Sequence, residues 1–174
     1  HATIHEARLY QTYGLLTEAN GGAMPYSNGY FASAFSNSVL EHIPQVEQVL
    51  GETARVLKPG ALFVFCVPNH RFNEFLSIAV MLDKLRLHAL ANLYRDFFSY
   101  IARHRHLANP ETWTSRLELA GFVVEDWWHY FPPKALAVLE WGHYFGLPSF
   151  IMRKLTGRWI LVPTHWNLML TQRL

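Results

Sequence analysis

The sequence predicts an α/β fold of the doubly wound, parallel-sheet kind. Two occurrences of one local pattern, and the composition, carry that prediction. In the first, Val46, Val49, Leu50, Thr53, Ala54 and Leu57 recur at helical spacing over Gln45–Lys58. Pro59-Gly60 then stops the helix, and Ala61–Val67 follows as an unbroken apolar run. Such a run, bounded by Pro-Gly and Pro-Asn, suits a strand covered on both faces. In the second, Asn109 and Pro110 open a helix over Glu111–Ala120, Gly121 ends it, and Phe122–Trp127 resumes as a strand. Helix, tight turn and strand, twice over, is the αβ unit of a doubly wound sheet. At 174 residues, 51% hydrophobic and 16% charged, one domain with a real core is expected and bulk disorder is excluded.

The remaining elements follow in order. Ala2–Leu9 reads as the end of a helix and Thr12–Thr17 as a short strand. Asn20-Gly21-Gly22 and Pro25–Gly29 are turn-rich. Tyr30–Phe35 is expected as a strand, Ser36-Asn37-Ser38 as its end, and Val39–Ile43 as a helical turn closed by Pro44. Arg71–Arg105 holds no breaker and fits one long helix or two packed ones. Beyond Pro132-Pro133, the sequence predicts helices over Lys134–Tyr144 and Pro148–Leu155 and a final strand over Trp166–Arg173.

Charge and cysteine usage narrow the function classes. The net charge is +2 and the pI is near 8.8. There is no run of five or more basic residues, so a nucleic-acid partner is not expected. The single Cys66 cannot form an internal disulfide and reads as a buried thiol. Together with the absence of a basic start followed by an apolar stretch, this leads to an expected cytoplasmic location. No uncharged apolar stretch reaches the length of a membrane span. Aromatic residues make up 15% of the chain, enough for an apolar ligand, partner or membrane surface as well as a core.

The segment Phe31–Pro68, FASAFSNSVLEHIPQVEQVLGETARVLKPGALFVFCVP, resembles the later half of class I S-adenosylmethionine-dependent methyltransferases. Four landmarks stand in the family's order. They are Ala23-Met24-Pro25-Tyr26 for its "LPF" turn, Ser36–Ile43 for its "vLEHI" turn, Arg55–Gly60 for its "RvLKPG" helix end, and Trp113–Val123 for its "W...L..AGF" step. The family's second glycine is Ala61 here, and its Asp after the matched Phe31 is Ala32. The resemblance implies an incomplete Rossmann-like sheet, mostly parallel with an antiparallel last strand. It also implies one partial domain over 1–174, with a helical cap insertion at 71–105 and a helical lid insertion at 132–163. The ligand would lie across the carboxyl ends of the strands.

What the resemblance implies for the site is limited by one departure. The family grips its cofactor with a glycine-rich loop, and no G-x-G pattern lies before Asn20. The chain is therefore expected to be a fragment of a longer methyltransferase, or a degenerate relative, and to bind no cofactor measurably by itself. The contacts carried over are Asn20 toward the adenine, Ser36 and Asn37 toward the methionine portion, and Gly21, Ser38 and His42 as further cofactor-binding residues. His42 also reads as a possible base or as a structural cap, since imidazole titrates near neutrality. No catalytic residue is named, and no metal site is expected. His104 and His106, in Arg103-His104-Arg105-His106, read as a polar helix end. The expected reaction is methyl transfer from S-adenosylmethionine to a small, apolar or lipid-like acceptor. The alternatives are a non-catalytic binding module and a protein that contacts a membrane surface through Lys134–Leu155.

Overall fold

The structure, a computed structural model, describes residues 13–156 together with Ile4, Ala7 and Arg8. The described elements run β1 (Phe31–Asn37), a 3-10 turn (Leu40–His42), α1 (Val46–Val56), β2 (Leu57–Cys66), a second 3-10 turn (Phe72–Phe75), α2 (Ser77–Lys84), α3 (His88–Ala102), α4 (Pro110–Leu119) and α5 (Pro133–Thr156). They form two compact units. One comprises the residues up to Phe72 with Ser99–Trp128; the other comprises Asn73–Phe98 with the residues from His129 on.

The first unit is built on a βαβ crossover. β1 and β2 pair in parallel, from Ser33 opposite Leu62 to Asn37 opposite Cys66. Parallel neighbours need a crossover rather than a hairpin, and α1 provides it. Pro59 and Gly60 lie within β2 rather than before it. The register slips there: Phe31 faces Leu57, yet Ser33 faces Leu62. Gly60 takes a positive φ of 76° in this bulge, a conformation that glycine adopts without a Cβ penalty.

α1 and α4 cover one face of the sheet. Leu40, Val46, Leu50, Trp113 and Leu117 are buried together, with Phe63, Phe65, Val67 and Phe122 packed against them. Ring centroids lie 5.5 Å apart for Phe65–Trp113 and 5.4 Å for Phe63–Phe122, within the range of favourable aromatic pairs. The opposite face is open: Phe35 is 69%, Leu62 58% and Val64 40% exposed. The apolar run of β2 thus alternates between a covered and an uncovered face, instead of being buried on both.

Phe122–Trp127 is not a strand. It pairs with no described strand, although its residues alternate as a half-buried strand would. Phe122 and Val124 pack on the core while Val123 is 87% exposed. Burial alternates along the segment, but a ladder needs a neighbour to accept its hydrogen bonds. The helix before it starts as expected: Asn109 Oδ1 accepts from Thr112 N at 2.8 Å, and Pro110 occupies the first turn. Thr12 is outside the described residues, and Tyr13–Thr17 forms no strand. The expected last strand, Trp166–Arg173, also lies outside them, as does most of the expected first helix.

The stretch after Arg71 forms two helices, α2 and α3, one of the two arrangements expected, rather than one long helix. A 3-10 turn precedes α2, and Arg86, at a positive φ of 59°, separates α2 from α3. α5 is one helix through Gly142 and Pro148, where two were expected. A proline removes one i→i−4 bond and crowds the preceding turn, which weakens a helix without always ending it.

A buried carboxylate organises the second unit. Glu140 of α5 is 0% exposed. Its Oε2 accepts from Ser77 N and Ser77 Oγ, both at 2.6 Å. Its Oε1 accepts from Ile78 N at 3.2 Å and Tyr94 OH at 2.7 Å. Glu140 therefore caps the amino end of α2 from another helix, meeting orphan N–H groups with a charge that suits the helix dipole. Tyr144 OH donates onward to Tyr94 OH at 2.8 Å. Burial, with Tyr144 and Glu140 beside it, drives the Tyr94 hydroxyl far above its ordinary range, so it remains a donor.

Glu140→Ala leaves these buried donors unmet and is expected to cost the helical unit about 3 kcal/mol or more. Glu140→Gln keeps one accepting oxygen and is expected to cost less. Denaturant unfolding followed by Trp141 fluorescence measures both, because Trp141 Nε1 donates to Ser77 Oγ at 3.1 Å.

Candidate functional site

In open α/β sheets, ligands bind beyond the carboxyl ends of the strands. Here that end carries Ser36, Asn37 and Ser38 of the β1 end, Cys66 at the end of β2, and the 3-10 turn Leu40–His42. Ser38 takes a positive φ of 50° and donates its N–H to the Cys66 carbonyl at 3.0 Å. A non-glycine residue in this region is uncommon and turns the chain sharply out of β1. Cys66 is half-buried rather than fully buried.

The loop ahead of β1 is fixed by Arg55 of α1. Its guanidinium donates to both Glu52 oxygens, at 2.8 and 2.7 Å. It also reaches the carbonyls of Tyr26 and Met24 and the Asn28 side chain, at 2.8, 3.1 and 2.8 Å. Glu52 Oε1 accepts from Met24 N at 2.6 Å. The hydrogen bonds from Arg55 hold the Glu52 carboxyl down to about 2. Two of the sequence landmarks, Met24-Pro25-Tyr26 and Arg55, are thereby joined in space.

The same loop presents Asn20. Its Oδ1 accepts from Gly22 N at 3.0 Å, a local Asx turn. A Cβ on Gly22 would meet Gln48 Cδ at 2.8 Å, so a larger residue here would require the Gln48 side chain to move aside. Asn20, Gly22, Ile43, Pro44, Gln45, Gln48 and Val49 line an open pocket of about 340 Å³, a volume within the ~300–1,000 Å³ of small-molecule sites. Asn20 is thus brought beside the residues that follow His42. Ser36, Asn37 and Ser38 do not line this pocket.

His42 stands in a cluster with residues 103–106, which the sequence read as a polar helix end and did not place beside it. Segment 103–106 leaves α3 at Ala102, with Arg103 at a positive φ of 54°, and runs as a strap along the 3-10 turn. Arg105 N and His106 N donate to the Glu41 carbonyl at 2.8 and 3.1 Å. His106 Nε2 meets the Ile43 carbonyl at 2.8 Å. His42 Nδ1 meets the Arg103 carbonyl at 3.1 Å. The rings of His42 and His104 stack with centroids 5.6 Å apart, and Phe72 lies edge-on to His104. The expected polar helix end is therefore a structural clasp. The helix stops earlier because its carbonyls and N–H groups find partners in residues 41–43.

Glu41 is 1% exposed, with Oε1 at 3.6 Å from His42 Nε2. Its Oε2 has no hydrogen-bond partner among the described residues. Burial pushes the carboxyl above its ordinary value; a backbone hydrogen bond and the nearby His42 oppose this without cancelling it. The sequence signal for Glu41 was available: an acid inside the apolar stretch Val39-Leu40-Glu41-His42-Ile43. Among the described residues, no group of three metal-ligating side chains is disposed to hold a metal ion.

A carboxyl whose folded-state value lies above its unfolded one favours the fold only while protonated, so its contribution is lost as pH rises through the raised value. Glu41→Gln cannot ionise. Relative to the unsubstituted protein, it is expected to gain stability as pH rises from 4 to 8, as measured by denaturant midpoints across that range.

Comparison with known proteins bears on what this arrangement belongs to. A family model described as a methyltransferase domain matches residues 7–126. The chain is 46% identical over 52 residues to "Sterol methyltransferase-like 2" of Botryococcus braunii, a match covering 29% of the chain and 13% of that protein. It is 45% identical over 42 residues to "24-methylenesterol C-methyltransferase 2" of Oryza sativa subsp. japonica, covering 24% of the chain and 12% of that protein. An uncharacterized methyltransferase of Mycobacterium leprae is 26% identical over 119 residues, covering 66% of the chain and 40% of the relative. The matched region of each relative is thus less than half its length. The parallel βαβ unit, its clamped loop and the family match lead to one conclusion: this chain belongs to the methyltransferase domain family, with a partial Rossmann-like fold.

Proposed function

We propose that the chain forms the later part of a domain that transfers a methyl group from S-adenosylmethionine to a small apolar acceptor. The observation that carries this reading is the pocket between the Asn20–Gly22 loop and the residues after His42. The residues present fit part of the cofactor. Asn20 supplies an amide that can hydrogen-bond the adenine edge, and Gly21 and Gly22 allow close approach of the backbone. Ser36, Asn37 and Ser38 at the end of β1 suit the polar methionine portion. A glycine-rich loop and an acid for the ribose are not among these residues, so the complete grip is assigned to a fuller protein containing this chain. When bound, the sulfonium cofactor supplies an electrophilic methyl group. The protein's task is then to orient the acceptor and exclude water. An acceptor of sterol-like character is supported by the names of two relatives.

The test starts with the coding sequence ahead of His1. A G-x-G-x-G motif about 40 to 60 residues upstream, the spacing of two βα units, is expected. In the protein that includes it, Asn20→Ala is expected to weaken S-adenosylmethionine binding about threefold to tenfold, the loss of one hydrogen bond. Isothermal titration calorimetry measures this, and the shorter chain alone is expected to give no measurable heat of binding. Unrelated upstream sequence, or undiminished binding by the Asn20 variant, counts against the reading.

A second reading, a peripheral contact with a membrane that hosts such an acceptor, is supported by α3. Leu90, Leu93 and Phe97 recur there at helical spacing and are 51%, 65% and 48% exposed. No described helix is long and apolar enough to cross a membrane, so the contact would be interfacial. Co-sedimentation with liposomes is expected to pellet the protein, and Leu93→Glu with Phe97→Glu to release it.

A further inference from the structure

The histidine of the 3-10 turn is oriented for a task that cofactor contact alone does not need. A carbonyl oxygen only accepts, so the 3.1 Å contact with the Arg103 carbonyl requires His42 Nδ1 to carry the proton. In the neutral ring, Nε2 is then the nitrogen with the free lone pair. The ring is 39% exposed, so this nitrogen belongs to a side chain that is reachable from outside. Its closest acidic neighbour is Glu41, 3.6 Å away and otherwise sealed in the core. The strap fixes the turn on either side of His42, through the Glu41 and Ile43 carbonyls. His106 makes the contrast: its Nε2 meets the Ile43 carbonyl and its Nδ1 lies 3.5 Å from an Arg116 guanidinium nitrogen, so both ring nitrogens are engaged.

We propose that His42 is the proton acceptor at the carboxyl end of β1. Its Nε2 is left unprotonated for the task by the Arg103 carbonyl on Nδ1, and the resulting imidazolium is balanced by the Glu41 carboxylate 3.6 Å away. This deepens the methyl-transfer reading and rests on it. An O–H or N–H acceptor that gains a methyl group must lose its proton as the carbon–sulfur electron pair returns to sulfur. Nε2 takes that proton, and the net charge at the acceptor atom does not change. Such a protonated heteroatom nucleophile is taken as the acceptor. Groups facing His42 are Glu41 on its own turn, and the His104 ring and Arg103 carbonyl from the strap. Arg116 of α4 reaches His106.

The test needs no cofactor, so its failure is separable from failure of the methyl-transfer reading. Long-range ¹H–¹⁵N spectra of the chain are expected to show neutral His42 as the Nδ1–H tautomer. Diethyl pyrocarbonate, mapped by mass spectrometry at pH 7, is expected to modify His42 about tenfold faster than His106, whose ring nitrogens are both held. In His42→Gln, the Glu41 carboxyl resonance is expected to titrate at higher pH than in the unsubstituted protein, because the charge of His42 opposes the effect of burial. An Nε2–H tautomer, equal modification of His42 and His106, or an unmoved Glu41 midpoint would each overturn the proposal. The first two readouts use the unsubstituted protein and survive a variant that fails to fold.

Discussion

The guanidinium of Arg55 fixes the geometry of the first unit. It sits in the last turn of α1, and its planar fork satisfies a carboxylate on its own helix while holding three points of the preceding loop. A lysine, with one compact charge, could not serve both sets of acceptors at once. The clamp sets how the chain enters β1, and Gly29 N completes it by donating to the Arg55 carbonyl at 3.0 Å. Since α1 also connects β1 to β2, one side chain registers the loop, the crossover helix and the parallel pair together. The pocket beside Asn20 exists because this loop is held against α1.

Each unit also contains a buried carboxylate, and the two are handled in opposite ways. Glu140 is surrounded by donors and functions as a helix cap from a distant element. Glu41 is equally buried, yet one oxygen is left without a partner. A buried charge persists only when paired or hydrogen-bonded. The first arrangement is therefore a structural joint, and the second is a group whose protonation depends on its neighbour, His42. Similar burial, different donor supply, different chemistry.

Much of the first unit was legible in the sequence. The apolar spacing of Val46, Leu50 and Thr53 placed α1, and Asn109-Pro110 placed the start of α4, because helix periodicity and capping are local properties. The family landmarks were also legible, and two of them meet through Arg55. The Asn20 turn was anticipated as a turn and as a ligand contact, and the structure shows the turn. Other readings failed for nonlocal reasons. Phe122–Trp127 has the alternation of a strand without a neighbour to pair with, and β2 has the composition of a doubly covered strand with one face open.

The sequence by itself determined where β1, α1 and α4 form, and that the landmarks of a methyltransferase follow one another in order. Those properties depend on residues a few positions apart. Only the tertiary structure decided what the charged and aromatic groups do. His42 acquires its orientation from a carbonyl 61 positions away, and Ser77 N its acceptor from Glu140, 63 positions away. Periodicity carries no information at such separations. A hydrogen bond forms between groups that folding brings within about 3 Å in the right direction, and that is settled only when the core has packed.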